Sequence, residues 1–237
     1  MLRVTRFEPS ARIRLGAAGP ALTAGMSAEV ERLWQAEQSR RGTGLFNGRI
    51  LSAVEVDPDS ILGEVVEYRL LIAQIGRPEL FHDLKIRPVA VSGMLECPAG
   101  LLFGRRAGSV TQDAGSWELC PSGGLDVSRV AVGADVDYRA QLMVELAEEA
   151  GLTAEAVTKV SPFCLVEDTE SHVIDVGISL RSPLSAEEMT ARHRGCASGE
   201  YAEIAVVARA DLADFLARQG GNVARASAAL IEFAGLA

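Results

Sequence analysis

Residues 117–152, Trp117 to Leu152, read WELCPSGGLDVSRVAVGADVDYRAQLMVELAEEAGL, and the fold is decided by how this stretch is read. Its second half has the periodicity of one amphipathic helix. At about 100° per residue, Glu145, Glu148 and Glu149 fall within one arc of roughly 100°, and Gln141 lies one turn earlier on that arc. Leu142, Met143, Leu146, Ala147 and Ala150 occupy the other side, as a core-facing stripe does. Gly151 predicts the left-handed residue that ends such a helix, and Asp135 or Asp137 predicts its N-cap.

The three glutamates are locally unfavourable. Like charges at i,i+3 and i,i+4 cost about 0.2–0.5 kcal/mol per pair, and the last turn of a helix disfavours negative charge. Two readings stand side by side. One is a solvated acidic face. The other is a site for a hard divalent cation such as Mg²⁺, which takes oxygen ligands and keeps waters that phosphate oxygens can replace.

The surrounding residues resemble the Nudix hydrolases. Their signature is a glycine, five residues, Glu, seven residues, then Arg-Glu-apolar-x-Glu-Glu-x-Gly-apolar. VELAEEAGL, residues 144–152, matches the second half at every defined position but the first, and WELCPSGGL, residues 117–125, resembles the strand, Pro and double glycine that open the motif. The resemblance implies that Glu145, Glu148 and Glu149 hold catalytic Mg²⁺ or Mn²⁺, with the backbone carbonyl near Gly123 as a further ligand and Gly124 in the substrate loop. Three positions depart from the pattern. Val144 stands at the family Arg and Val136 at the family Glu, and six extra residues lie between Gly124 and Val144. Loss of both charged partners leaves neither unpaired. Val144 is therefore expected to pack against apolar atoms of the longer loop.

Upstream, PVAVSGMLEC, the turn Pro98-Ala99-Gly100 and LLFGRRA predict a β-hairpin. It resembles the first two central strands of the Nudix fold, where the family often keeps a basic residue near the diphosphate. Arg105 and Arg106 are the candidates, against the plain reading of an exposed strand end. Downstream, Ala156–Val166 and His172–Leu180 read as strands, and Ser185-Ala186-Glu187-Glu188 as a capping box opening a helix to about His193. In the family a late acid often supplies another metal ligand or the general base. Glu200 and Glu203 fit that place best, with Glu167, Asp168 and Glu170 behind them.

The first third reads as strands in VTRFEP and ARIRL, a helix capped by Ser27 and stopped by Gly42, a strand from Phe46 to Val56, the turn Asp57-Pro58-Asp59, and a returning strand from Ile61 that turns helical in LLIAQIG. It loosely resembles the leading segment of Nudix proteins that include nucleotide-sugar diphosphatases. Asp211 predicts another cap, and Val223–Phe233 a last helix.

Composition bounds the rest. The chain has 237 residues, 48% of them apolar, enough for a sizeable core. A formal charge of −9 argues against nonspecific nucleic-acid or anionic-membrane binding. No apolar run approaches the roughly 18 residues of a membrane span, and MLRVTRFEPSARIRL lacks the apolar stretch of a secretory signal. Cys97, Cys120, Cys164 and Cys196 form no CxxC pair, which suits reduced thiols in a cytoplasmic protein. His82, His172 and His193 have no mutual spacing, and no GxSxG or GxxxxGK[ST] pattern occurs.

The expected fold is α/β, a Nudix-type α/β/α sandwich with a mixed β-sheet over residues 86–237, plus an N-terminal α+β subdomain over residues 1–85 serving selectivity or dimerisation. The expected activity is Mg²⁺- or Mn²⁺-dependent hydrolysis of a nucleoside diphosphate linked to another moiety, first a nucleotide sugar and next a cofactor such as NADH or CoA. The alternative is a domain that has lost catalysis and senses a nucleotide or a protein. The partner implied is a small-molecule nucleoside diphosphate derivative, without nucleic acid or membrane; a homodimer stays open.

Overall fold

The computed structural model describes residues 1–41, 45–108, 110, 113–196 and 199–236. The chain opens with β1 (Leu2–Arg6), β2 (Arg12–Ala18) and the helix α1 (Ala24–Arg41). Thr23 Oγ1 accepts the Met26 N–H at 3.2 Å, so a hydroxyl satisfies the first turn one turn earlier than Ser27, which lies inside the helix. Gly42, the expected stop, lies outside the described residues. β3 (Arg49–Asp57) and β4 (Ser60–Glu67) form a hairpin in which Asp57 pairs with Ser60, leaving Pro58-Asp59 as the turn. The chain then passes directly into α2 (Tyr68–Gly76), where Asn47 Oδ1 accepts the Arg69 N–H at 2.9 Å, and into the short α3 (Phe81–Leu84).

The expected hairpin follows as β5 (Val89–Cys97) and β6 (Gly100–Arg106), with Glu96 opposite Leu101 and Cys97 opposite Gly100. Gly100 has φ +146°, and a Cβ there would fall 2.0 Å from the Val207 carbonyl oxygen, so the turn admits only glycine. Next come β7 (Trp117–Leu119), β8 (Ser122–Gly124) and α4 (Tyr138–Ala150). After them lie β9 (Lys159–Asp168), β10 (Ile174–Arg181), α5 (Ala186–His193), β11 (Tyr201–Val207), α6 (Leu212–Gln219) and α7 (Arg225–Phe233). The capping box of α5 is complete: Ser185 Oγ accepts the Glu188 N–H at 3.2 Å, and Glu188 Oε2 accepts the Ser185 N–H at 2.7 Å.

The large sheet runs β1-β9-β10-β5-β6-β11, with β7 paired to β6 and β8 to β5. β10 and β5 are parallel and the other pairs antiparallel, so the sheet is mixed. On one face Val91, Leu95, Val176, Ile178 and Leu180 pack with Leu142 and Leu146 of α4 and Met189 of α5. On the other, Met94, Leu101, Phe103 and Leu119 pack with Leu212 and Phe215 of α6 and Leu230 and Ile231 of α7. Helices thus cover both faces, each large apolar side chain adding about 1.5–3 kcal/mol on full burial.

The first third is woven into this core. β1 is the edge strand beside β9, with Leu2 opposite Asp168 and Arg6 opposite Cys164. β2, β4 and β3 make a small second sheet, in that order. Its Ile13, Leu15, Leu51 and Ile61 belong to the same cluster as Leu142 and Leu146. α1 and α2 have a cluster of their own around Val30, Leu70, Leu71 and Leu84. No helix among the described residues is long and apolar enough to cross a membrane.

Candidate metal and active site

α4 is the helix that the sequence pattern predicts. Asp137, of the two candidates, is its N-cap, accepting the Ala140 N–H on Oδ1 at 3.0 Å. Gly151 ends it at φ +68°. The glutamate face is not a solvated face. Glu149 is wholly buried, Glu145 partly buried, and only Glu148 exposed. The 100° per residue that places all three on one arc also sets Glu148 and Glu149 at its two ends, one towards solvent and one under the loop that precedes the helix.

That loop holds Glu149 directly. The Ser122 N–H donates to Glu149 Oε2 at 2.9 Å, while Oε1 is buried with no hydrogen-bond partner among the described residues. Burial pushes the Glu149 carboxyl up to about 9, against the Ser122 hydrogen bond, with the charges of Glu200, Glu118 and Glu145 adding to the shift. Glu145 lies against Gly123: a Cβ on that glycine would fall 2.4 Å from Glu145 Cδ, so any other residue would push the carboxylate away. Glu145 Oε1 also accepts from Gln141 Nε2 at 2.7 Å. Burial raises Glu145 to about 7, opposed by Gln141 and reinforced by Glu148 and Glu200. His193 Nδ1 lies 2.9 Å from the Glu149 carbonyl oxygen and ties α5 to the end of α4.

A divalent cation fits these residues. Among the described residues no three acidic, histidine or cysteine side chains already stand as a metal cluster, so Glu145, Glu148 and Glu149 do not converge as a triad. Mg²⁺, however, is commonly bound by one or two carboxylates, with waters and substrate phosphates completing the shell. A buried carboxylate oxygen with no donor costs about 1–3 kcal/mol; a cation beside Glu149 Oε1 would remove that cost.

A second group on the same sheet face escaped the sequence reading. Glu118, in β7, is buried; its carboxylate pairs with Arg106 Nη1 and accepts the Tyr201 hydroxyl at 2.8 Å. Arg106 Nη2 lies 3.5 Å from Glu200 Oε1. A charged residue between apolar neighbours in a three-residue strand was the available signal. Arg106 is therefore committed to carboxylates rather than open to a diphosphate.

Arg105 points the other way. β6 alternates, so Leu102 and Arg106 share the α4 face, whereas Phe103 and Arg105 share the face of α6 and α7. Arg105 pairs with Glu203 at 3.0 Å, and both side chains are half exposed. The sheet separates these two from the glutamates of α4. Gly124 is exposed and pairs with Ala90. The remaining acids serve ion pairs elsewhere: Glu167 with Arg87, and Asp168 and Glu170 with Arg225. The four cysteines are free, with Cys97, Cys120 and Cys164 buried.

The longer loop is held differently from the expectation. Val144 is 47% exposed and does not anchor it. The loop buries Leu125, Val127 and Val136 and is bonded to the small sheet. The Leu15 N–H donates to the Ala134 carbonyl at 3.0 Å and the Val136 N–H to that of Ile13 at 2.7 Å. The Val127 N–H donates to Arg49 at 2.9 Å, and the Leu51 N–H to Leu125 at 3.1 Å. Backbone rungs from the first third, and not packing by Val144, hold the loop.

No family model matches the sequence, and no curated protein matches it. Among solved structures, DR0079 from Deinococcus radiodurans is similar with a TM-score of 0.51 at 14% identity, over 78% of this chain and 98% of that one. The NUDIX domain of Shewanella oneidensis NrtR, complexed with ADP ribose, gives 0.46 at 18% identity, over 67% and 96%. A NUDIX hydrolase from Nitrosomonas europaea gives 0.41 at 15%, over 62% and 89%. The fold, with its strand, glycine loop and glutamate helix, is the Nudix fold; at these identities the likeness shows the fold alone.

Proposed function

We propose that this Nudix-fold chain is a Mg²⁺-dependent pyrophosphohydrolase that cleaves a nucleoside diphosphate linked to a second group, with a nucleotide sugar as the first choice. The observation that carries the reading is Glu149: a carboxylate wholly buried at the end of a helix, fixed through one oxygen and unpartnered at the other. An acid kept in so costly a state, beside a second one pressed against a glycine backbone, suits a site completed by a cation and a phosphate.

In this reading Glu145, Glu149 and the Gly123 backbone would hold the ion, with Glu148 as a further carboxylate on the same helix. Such an ion, when bound, would supply charge neutralisation for the diphosphate and a lowered pKa for an attacking water. The protein's own part is positional. Ser122 fixes Glu149 through Oε2, and Gln141 orients Glu145. Glu145 and Glu200 are the two candidates to take a proton from the water.

The test is hydrolysis of a panel of nucleotide sugars and dinucleotide cofactors with and without Mg²⁺, beside Glu145→Gln and Glu149→Gln. Mg²⁺-dependent turnover by the wild type, lost in both variants, is the expected result. The second reading, a binding module without catalysis, is favoured by the exposed Val144 and by the lack of a ready three-acid cluster among the described residues. Mg²⁺ binding with no turnover of any panel member would establish it.

A further inference from the structure

We propose that Arg106 is a positioning residue: one arm of its guanidinium is anchored on buried Glu118 and the other holds Glu200 towards the Glu145–Glu149 pair. This rests on the hydrolase reading and deepens it. It takes Arg106 out of phosphate contact and gives Glu200 its place.

The anchor is built from several elements. Arg106 ends β6 and Tyr201 opens β11, and the two are register partners. The Arg106 side chain is 15% exposed and that of Glu118 9%, with Glu200 at 36%. The Tyr201 hydroxyl donates to the same Glu118 oxygen that Arg106 engages. The tyrosine ring lies over Gly104, where a Cβ would fall 2.7 Å from its carbons, so the ring has a seat only glycine leaves free. The Ala107 N–H donates to the Glu200 carbonyl at 2.8 Å, which fixes the Glu200 backbone beside the arginine.

Electrostatics give the reason for a cation here. Arg106 and Tyr201 lie on the α4 face of the sheet, and the 3.5 Å contact of Arg106 Nη2 with Glu200 Oε1 brings the Glu200 carboxylate to that face, the one that carries Glu118 and is covered by the helix of Glu145 and Glu149. Like charges gathered on one face repel Glu200. Arg106 offsets that repulsion, and its planar fork can serve two carboxylates at once, where a lysine ammonium is a single point charge. Arg105, one residue earlier, is on the opposite sheet face and is the natural control.

The experiment is a double-mutant cycle of Arg106→Lys and Glu200→Gln, read as kcat and KM on the diphosphate panel and as Mg²⁺ affinity by calorimetry without substrate. Arg106→Lys is expected to lower kcat by about 10²-fold, the scale of a misplaced catalytic group, with KM little changed. In the Glu200→Gln background it should cost nothing more. Mg²⁺ affinity should follow the same pattern, each single variant weakening it and the double variant no further. Arg105→Lys should match wild type. A raised KM with kcat kept, losses that multiply in the double variant, or an Arg106→Lys enzyme equal to wild type would each overturn the proposal. If wild type binds Mg²⁺ and the affinity cycle is non-additive but nothing is hydrolysed, positioning stands and the hydrolase reading falls. A chain that neither binds Mg²⁺ nor hydrolyses anything overturns both. Should Arg106→Lys fail to fold, Tyr201→Phe removes only a hydroxyl: a smaller kcat loss that vanishes with Glu200→Gln supports the proposal, and equal losses in both backgrounds overturn it.

Discussion

Arg105 and Arg106 are neighbours in sequence and opposites in structure. Arg105 meets Glu203 on the face of α6 and α7, with both side chains 51% exposed. Arg106 meets Glu118 on the α4 face, almost out of water, with the Tyr201 hydroxyl completing the contact. Solvent screening leaves the first pair worth about 0–1 kcal/mol. The second carries a large desolvation cost, is held by geometry, and punishes the loss of either partner. Two cations in a row thus do different work, and the strand's alternation decides which does which.

The sharpest way to break that contrast is Arg106→Met. It leaves the buried Glu118 carboxyl without its cation, so the acid must either stay charged out of water or take up a proton, and should cost up to about 3–5 kcal/mol in chemical denaturation. Adding Glu118→Gln should restore a large part. Equal costs for the single and double variants would mean that the arginine stem, not the charge, matters.

The next effect is pH dependence, on the order of a few kcal/mol at most. Glu145 and Glu149 have folded values of about 7 and about 9, above their ordinary 4.5, so the folded chain keeps protons that the unfolded chain releases. Their contribution is fully present below about pH 4.5 and is lost as pH rises through 7 and then 9. Metal-free stability should therefore fall between pH 5 and pH 9. Glu149→Gln should flatten the upper part of that slope. A melt series showing the same slope in wild type and variant would refute the assignment.

A cap on the same face without buried charge gives a smaller change. Asp137→Ala removes the bond to the Ala140 N–H and should cost about 1 kcal/mol. Smallest of all, Arg105→Met should shift stability by less than about 1 kcal/mol and leave turnover unchanged. A clear loss of activity there would break the contrast from the other side.

What could be read from the sequence was what neighbouring residues decide. The periodicity of α4, the Asp137 cap, the Gly151 stop and the Ser185–Glu188 box all lie within one or two turns of chain. The β5–β6 hairpin announces itself by its turn. Which face of β6 carries Arg106 could not be read, because LLF is apolar on both faces of a sheet buried on both sides. Glu118 was passed over for a related reason: its partners, Arg106 and Tyr201, come from strands whose pairing is set by tertiary packing. The cap of the first helix falls at Thr23 and not at Ser27 because either hydroxyl can cap, and helix ends are the least certain boundaries. The support of Val144 failed for want of a long-range fact, namely that β2 and β3 already bond the loop.

Those rungs also bear on how the protein assembles. Arg14 Nε donates to the Gly133 carbonyl across 119 positions of chain, and the neighbouring backbone bonds span comparable separations. Closing so large a loop costs conformational entropy before any contact returns it, and topologies rich in such contacts fold slowly. On a ribosome, β2 and β3 emerge with their partners still unmade. The loop before α4 takes its final shape only after both ends have met. The glutamates of α4 can form their helix from local contacts, but their seats against Ser122 and Gly123 depend on a loop that these long-range bonds hold.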